Sequence, residues 1–148
     1  MSIMSELVDA VAAELNEGTF SEPLTAECLT DPDRELEELQ TLRVDVLKGS
    51  KESEAISRCV LQGDYTIEIV VRQKADGDPA ELVRRLESLV EEIDRFFSLP
   101  PRRLRLYQAA AWKASKLIYC YSVKMVRNRR QFTGLLQLTY QIFEKASG

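Results

Sequence analysis

The sequence predicts an α+β domain of two layers, with two main helices packed on one face of a mostly antiparallel sheet of four to five strands. Three observations carry that expectation. Two stretches place apolar residues three and four apart, the period of a helix. Four or five others alternate apolar and polar residues, the period of a strand. Each of those strands keeps one polar face, which suits an antiparallel sheet covered on one side only. At 148 residues the chain reads as a single domain, 1–148, long enough to bury a core without staples.

The first helix starts at Ser2, a capping residue, and carries Met4, Leu7, Val8, Val11, Ala12 and Leu15 in one stripe. Gly18 is placed to end it. "TFSEP" reads as a turn, and "LTAECLT" (Leu24–Thr30) as a first short strand. Asp31-Pro32-Asp33 is a turn, and "RELEEL" is a helical turn or an acidic loop. "TLRVDVLKG" then alternates, with Leu42, Val44 and Val46 opposed to Arg43 and Asp45. The polar "SKESEAIS" reads as a loop. "DYTIEIVVRQK" (Asp64–Lys74) is the next strand, with Tyr65, Ile67, Ile69 and Val71 on one face.

The clearest helix follows. Asp78 caps it, Pro79 takes the first helical position and Glu81 completes a capping box. Leu82, Leu86, Leu89, Val90, Ile93 and Phe97 form its apolar stripe, and Arg84, Arg85, Glu87, Glu91 and Glu92 face water. Pro100-Pro101 stops it. "YQAAAWKAS" (Tyr107–Ser115) fits a helix or a strand. Leu117–Tyr121 is strand-like, Ser122–Asn128 suits a helical turn, and "QFTGLLQLTYQIF" is a long strand with Leu136, Leu138, Tyr140 and Ile142 on one side. Tyr119, Tyr121, Phe132, Tyr140 and Phe143 sit at strand spacing. Core packing is their expected use, with interface anchoring for any on an outer face.

Composition narrows the function classes. There is no histidine, so the usual general base, the Ser–His and Cys–His nucleophile pairs and the commonest transition-metal ligand are missing. Cys28, Cys59 and Cys120 are far apart, odd in number and form no C-x-x-C pair, which points to reduced thiols acting as small apolar side chains. None of the six glycines builds a phosphate-cradling loop. No apolar run reaches the roughly 20 residues of a membrane helix. The acidic N-terminus lacks the basic start of a secretory signal, so it reads as a helix. No catalytic residue, metal or cofactor is therefore expected, and the chain reads as a non-enzyme.

Charge is segregated. Residues 1–100 hold 23 acids and 10 bases, whereas residues 101–143 hold nine bases and no acid. Such a chain neutralises itself within the fold or is complementary between neighbouring copies. The densest acids are Asp31, Asp33, Glu35, Glu37 and Glu38, and the basic turn "VRNRRQF" holds Arg127, Arg129 and Arg130. The acidic run suits a solvated or docking surface better than a catalytic or Mg²⁺ site, because nothing in the pattern splits the carboxylate pKa values. A carboxylate-dependent metal domain centred on Asp31, Asp33, Glu35 and Glu38 is the alternative from a different class. "VRNRRQF" and "PPRRLRLY" have the look of nucleic-acid patches, but the net charge of −4 opposes a phosphate backbone, so no direct nucleic-acid or membrane binding is expected.

The order of "LNEGTFSEPLTAEC", "ELEELQTLRVDVL", "DYTIEIVVRQK" with its Asp-Pro-capped helix, and "RRQFTGLLQLTYQIF" resembles the small tail-completion proteins of long-tailed bacteriophages and prophages, of the tail-terminator or minor-tail-protein type. The resemblance covers nearly the whole chain and rests on patterns of style rather than catalytic signatures. "YCYSVKMV" departs from the turn rich in Asp, Pro or Glu expected there. The resemblance implies an α+β fold and a homo-oligomeric ring, commonly a hexamer, on the last ring of tail-tube protein. It implies a head–tail connector protein as a further partner, and a place in the bacterial cytoplasm during assembly and in the virion tail or neck afterwards. A head-closure or neck protein of the same virion is the alternative within that class. In such a ring, Asp31, Asp33, Glu35, Glu37 and Glu38 of one subunit would face Arg127, Arg129 and Arg130 of the next.

Overall fold

A computed structural model of the chain describes residues 1–30, 41–74, 79–119 and 131–146. Helix α1 (Ile3–Glu17) is followed by strands β1 (Ala26–Cys28), β2 (Arg43–Ala55) and β3 (Val60–Lys74), helix α2 (Pro79–Ser98), and strands β4 (Ala111–Tyr119) and β5 (Gln131–Lys145). The five strands form one sheet in the order β1-β2-β3-β5-β4. Only β1 and β2 pair in parallel, and the other three ladders are antiparallel. The fold is α+β with a mixed five-stranded sheet.

Each helix forms where its stripe can be buried. The Ser2 hydroxyl accepts a hydrogen bond from the Ser5 amide at 3.1 Å, which caps α1. α1 lies over β1 and β2, and α2 over β5 and β4. Leu7, Val8, Val11 and Leu15 of α1, and Leu82, Leu86, Leu89, Val90, Ile93 and Phe97 of α2, are all buried, as the periodicity required. They meet Val44 and Val46, then Tyr65, Ile67, Ile69 and Val71, then Leu136, Leu138, Tyr140 and Ile142 from one face of the sheet. The opposite face carries Thr66, Glu68, Gln137 and Thr139, with the two threonine hydroxyls bonded at 3.0 Å.

Several expectations change. Gly18 does end α1, but with φ −75°, so no left-handed cap is needed. A side chain there would run into the Phe20 ring at 2.8 Å and the Phe96 ring at 3.3 Å, which is why glycine fits. "SKESEAIS" is not a loop: β2 continues through it to Ala55, held by backbone pairing with β3. Alternation disappears there because both faces meet water. The open choice at Tyr107–Ser115 is settled as a turn followed by β4 from Ala111. Cys28 and Cys59 are free but exposed, not apolar filler. The Cys28 thiol instead donates to the Val8 carbonyl and the Asp9 carboxylate at 3.5 and 3.4 Å. The Asp78 cap, the helical turn at Ser122–Asn128, Tyr121 and Cys120 lie outside the described residues.

Candidate interaction surface

Every residue expected at an interface, namely Asp31, Asp33, Glu35, Glu37, Glu38, Arg127, Arg129 and Arg130, lies outside the described residues. The charges that are described divide into two groups, one closed within the fold and one displayed at its edges.

The closed group joins the basic third of the chain to the acids of α1 and β3. Glu14 is only 1 % exposed, a carboxylate at the edge of the apolar stripe of α1. It is stabilised there by Arg102, whose Nη1 donates to Glu14 Oε1 at 2.9 Å. The same guanidinium donates to the carbonyls of Arg103 and Phe96 at 3.2 and 3.4 Å. It also lies 5.2 and 5.6 Å from the Phe96 and Phe97 ring centroids. One planar fork thus ties the ends of both helices to the turn before β4, a task lysine could not perform. Arg105 pairs with Glu17, and Lys113 with Asp64 at 2.6 Å. For these three bases the segregated charge is neutralised inside the molecule.

Glu14, Glu17, Gly18, Phe96, Arg102 and Arg105 line a cleft between the helix ends. Beneath it, burial pushes the Tyr140 hydroxyl far above the ordinary phenol range, with Arg102 opposing and Glu14 adding to the shift. The Tyr107 hydroxyl is raised to about 12, first by burial and then by its hydrogen bond to Glu6. The Cys28 thiol, partly covered although the residue is exposed, is raised to about 11, first by that partial burial and then by Asp9. Among the described residues no group of three or more His, Cys, Asp or Glu side chains is arranged to hold a metal ion. No described helix is long and apolar enough to cross a membrane.

The displayed group belongs to an arm. β1 pairs with β2 only at Val44–Val46, so among the described residues the outer edge of β2 is unpaired beyond Leu47. Lys48–Ala55 are exposed throughout. A bulge between Lys48 and Lys51 introduces this stretch. Gly49 makes the bulge feasible, since a Cβ there would overlap the Thr66 carbonyl oxygen. Lys51 turns toward the helix side, 4.9 Å from the Tyr65 ring centroid and 3.1 Å from Glu144. Those two partners raise its pKa. Glu52 and Glu54 point the other way, in the rows of Asp64 and Gln62. The arm ends at Ile56, 54 % exposed, and Phe143 of β5, two strands across, is 52 % exposed. β4 forms the opposite edge of the sheet, with Lys113 and Lys116 exposed on it.

Sequence reasoning missed the arm and Glu14. A strand wet on both faces has no period-two signal. A usable clue was the polar run's position between Gly49 and the strongly alternating β3. Glu14 follows Leu7 by seven residues and Val11 by three, which sets it at the edge of the apolar stripe, but its partner is 88 residues away and carries no local signal.

No family model matches the chain, and no curated protein matches it. Among solved structures, it is similar to the sheath/tube terminator of an extracellular contractile injection system (PVC) in the extended state, with a TM-score of 0.49 and 12% identity. That match covers 100% of this chain and 58% of the other, so the chain spans little more than half the length of that structure.

Proposed function

We propose that this protein is a structural assembly protein of the tail-terminator type, which closes as a homo-oligomeric ring on the end of a tail tube and offers its other face to a head connector. The resemblance of "LNEGTFSEP", "ELEELQTLRVDV" and "RRQFTGLLQLTY" to tail-completion proteins supplies the partner class. The structural observation that carries the reading is the arm. Eight consecutive strand residues, Lys48–Ala55, stand exposed and run into the exposed apolar Ile56. A lone protein gains little from a long exposed edge, which invites unwanted pairing unless charges guard it. An assembling subunit gains a docking element. The described cleft is occupied by its own ion pairs, which leaves the exposed edges as the surfaces open to a partner.

Co-sedimentation with assembled tail tubes tests the reading. The protein is expected to pellet with the tubes at low salt and to stop their further growth when tube protein is added. Tubes that lengthen unchanged, with the protein left in the supernatant, would sink it.

A further inference from the structure

We infer that copies of this chain join edge to edge, with the β2 arm of one copy adding as an antiparallel strand to β4 of the next. This deepens the ring reading and rests on it for the closed state. The first argument is direction. β2, β3, β5 and β4 are successive antiparallel neighbours, so β4 runs opposite to β2. Head-to-tail copies that keep their strand direction therefore meet in the antiparallel sense.

The second argument is charge on one face. Glu52 lies in the row of Asp64 and Gln141, Glu54 in that of Gln62 and Phe143, and Lys116 in that of Gln137 and Glu68. These rows alternate with Tyr65, Ile67, Leu138 and Tyr140, which are buried under the helices. Glu52, Glu54 and Lys116 therefore all project from the helix-free face. Opposite charges facing each other across a ladder stabilise it and fix its register.

The third argument is length and tilt. Setting Glu52 opposite Lys116 lays Gly49–Ala55 along Lys113–Tyr119, matching the stretch of β2 that has no outer partner among the described residues to the end of β4. Within one copy Glu52 is level with Asp64, and Lys116 with Glu68, so neighbours are staggered by the four residues from Asp64 to Glu68. Four residues of ~3.3 Å rise, over four strands spaced ~4.8 Å, give a strand tilt of about 35°, within the range at which sheets close on themselves.

Disulfide trapping tests the register. In a chain with Cys28, Cys59 and Cys120 changed to serine, Ser53→Cys and Ser115→Cys fall directly opposite each other between copies. Mild oxidation is expected to give a ladder of covalent multimers on a non-reducing gel, and neither single cysteine variant should give one. In the wild-type background, Glu52→Lys or Lys116→Glu alone should weaken association at least tenfold, and the two together should restore it. Association that persists with no ladder, and with the charge swaps silent, would overturn edge pairing while leaving the ring reading intact. A chain that stays monomeric and gives no ladder even in the presence of tail tubes would also overturn it, and pelleting with those tubes then decides the broader reading separately.

Discussion

β2 is one strand with two environments. From Val44 to Leu47 it is buried on both faces, Val44 and Val46 toward the helices and Asp45 and Leu47 on the opposite face, and from Lys48 to Ala55 it is exposed throughout. Both halves pair with β3 through the same kind of backbone ladder. The difference teaches that the ladder fixes the path of this chain, whereas burial decides where the stability resides. Burial of apolar surface is the main favourable term in folding, and the arm contributes little of it. The buried half stabilises the monomer. The arm is ordered by its neighbour β3.

Substitutions under the helices should break this contrast most strongly. Phe97→Ala empties a fully buried ring site and is expected to cost about 4 kcal/mol in a urea denaturation experiment. Arg102→Ala leaves the Glu14 carboxylate buried beside nothing that can compensate it, at a cost of about 3 kcal/mol. Glu14→Gln should cost less, because a neutral amide can stay where a lone carboxylate cannot. Gly49→Ala stands at the boundary of the two halves. Its methyl group would press on the Thr66 carbonyl, so a loss of about 2 kcal/mol is expected, with the change in amide exchange concentrated in the arm.

Two further tests sharpen the comparison from the weak side. Tyr107 is neutral in the fold up to about pH 12, against 10 when unfolded. The unfolded chain therefore loses this proton first, so stability is full below pH 10 and falls as pH rises from 10 to 12. Denaturation midpoints at pH 9 and pH 11 check this, and Tyr107→Phe should reduce the difference. Glu54→Ala, in the arm, should change monomer stability by less than about 0.5 kcal/mol. A large loss there would mean that the arm supports the monomer's own fold.

The sequence revealed the covered half and concealed the exposed one. The stripes of α1 and α2 and the alternation of Leu136, Leu138, Tyr140 and Ile142 were legible because one face of each is buried and the other wet. That contrast is what periodicity records. It vanishes at "SKESEA", a strand whose composition is that of a loop. The candidate site was legible only as charge bias. Composition showed that bases crowd the last third of the chain, but not that Arg102, Arg105 and Lys113 would be neutralised by Glu14, Glu17 and Asp64. Those pairs join residues 49 to 88 positions apart, a separation that no local pattern carries. The acidic run at Asp31–Glu38 and the basic turn at Arg127–Arg130 remain proposals of the sequence, complementary to the edge charges described above.

The central claim is that this chain is built to assemble with itself through charged edges. Solution mass by light scattering, taken across a range of concentrations at low and high salt, tests it most directly. The account predicts a discrete multiple of the 16.9 kDa chain at low salt that falls toward the monomer as salt rises. A monomer at every concentration and both salts, even with tail tubes present as a template, would contradict it.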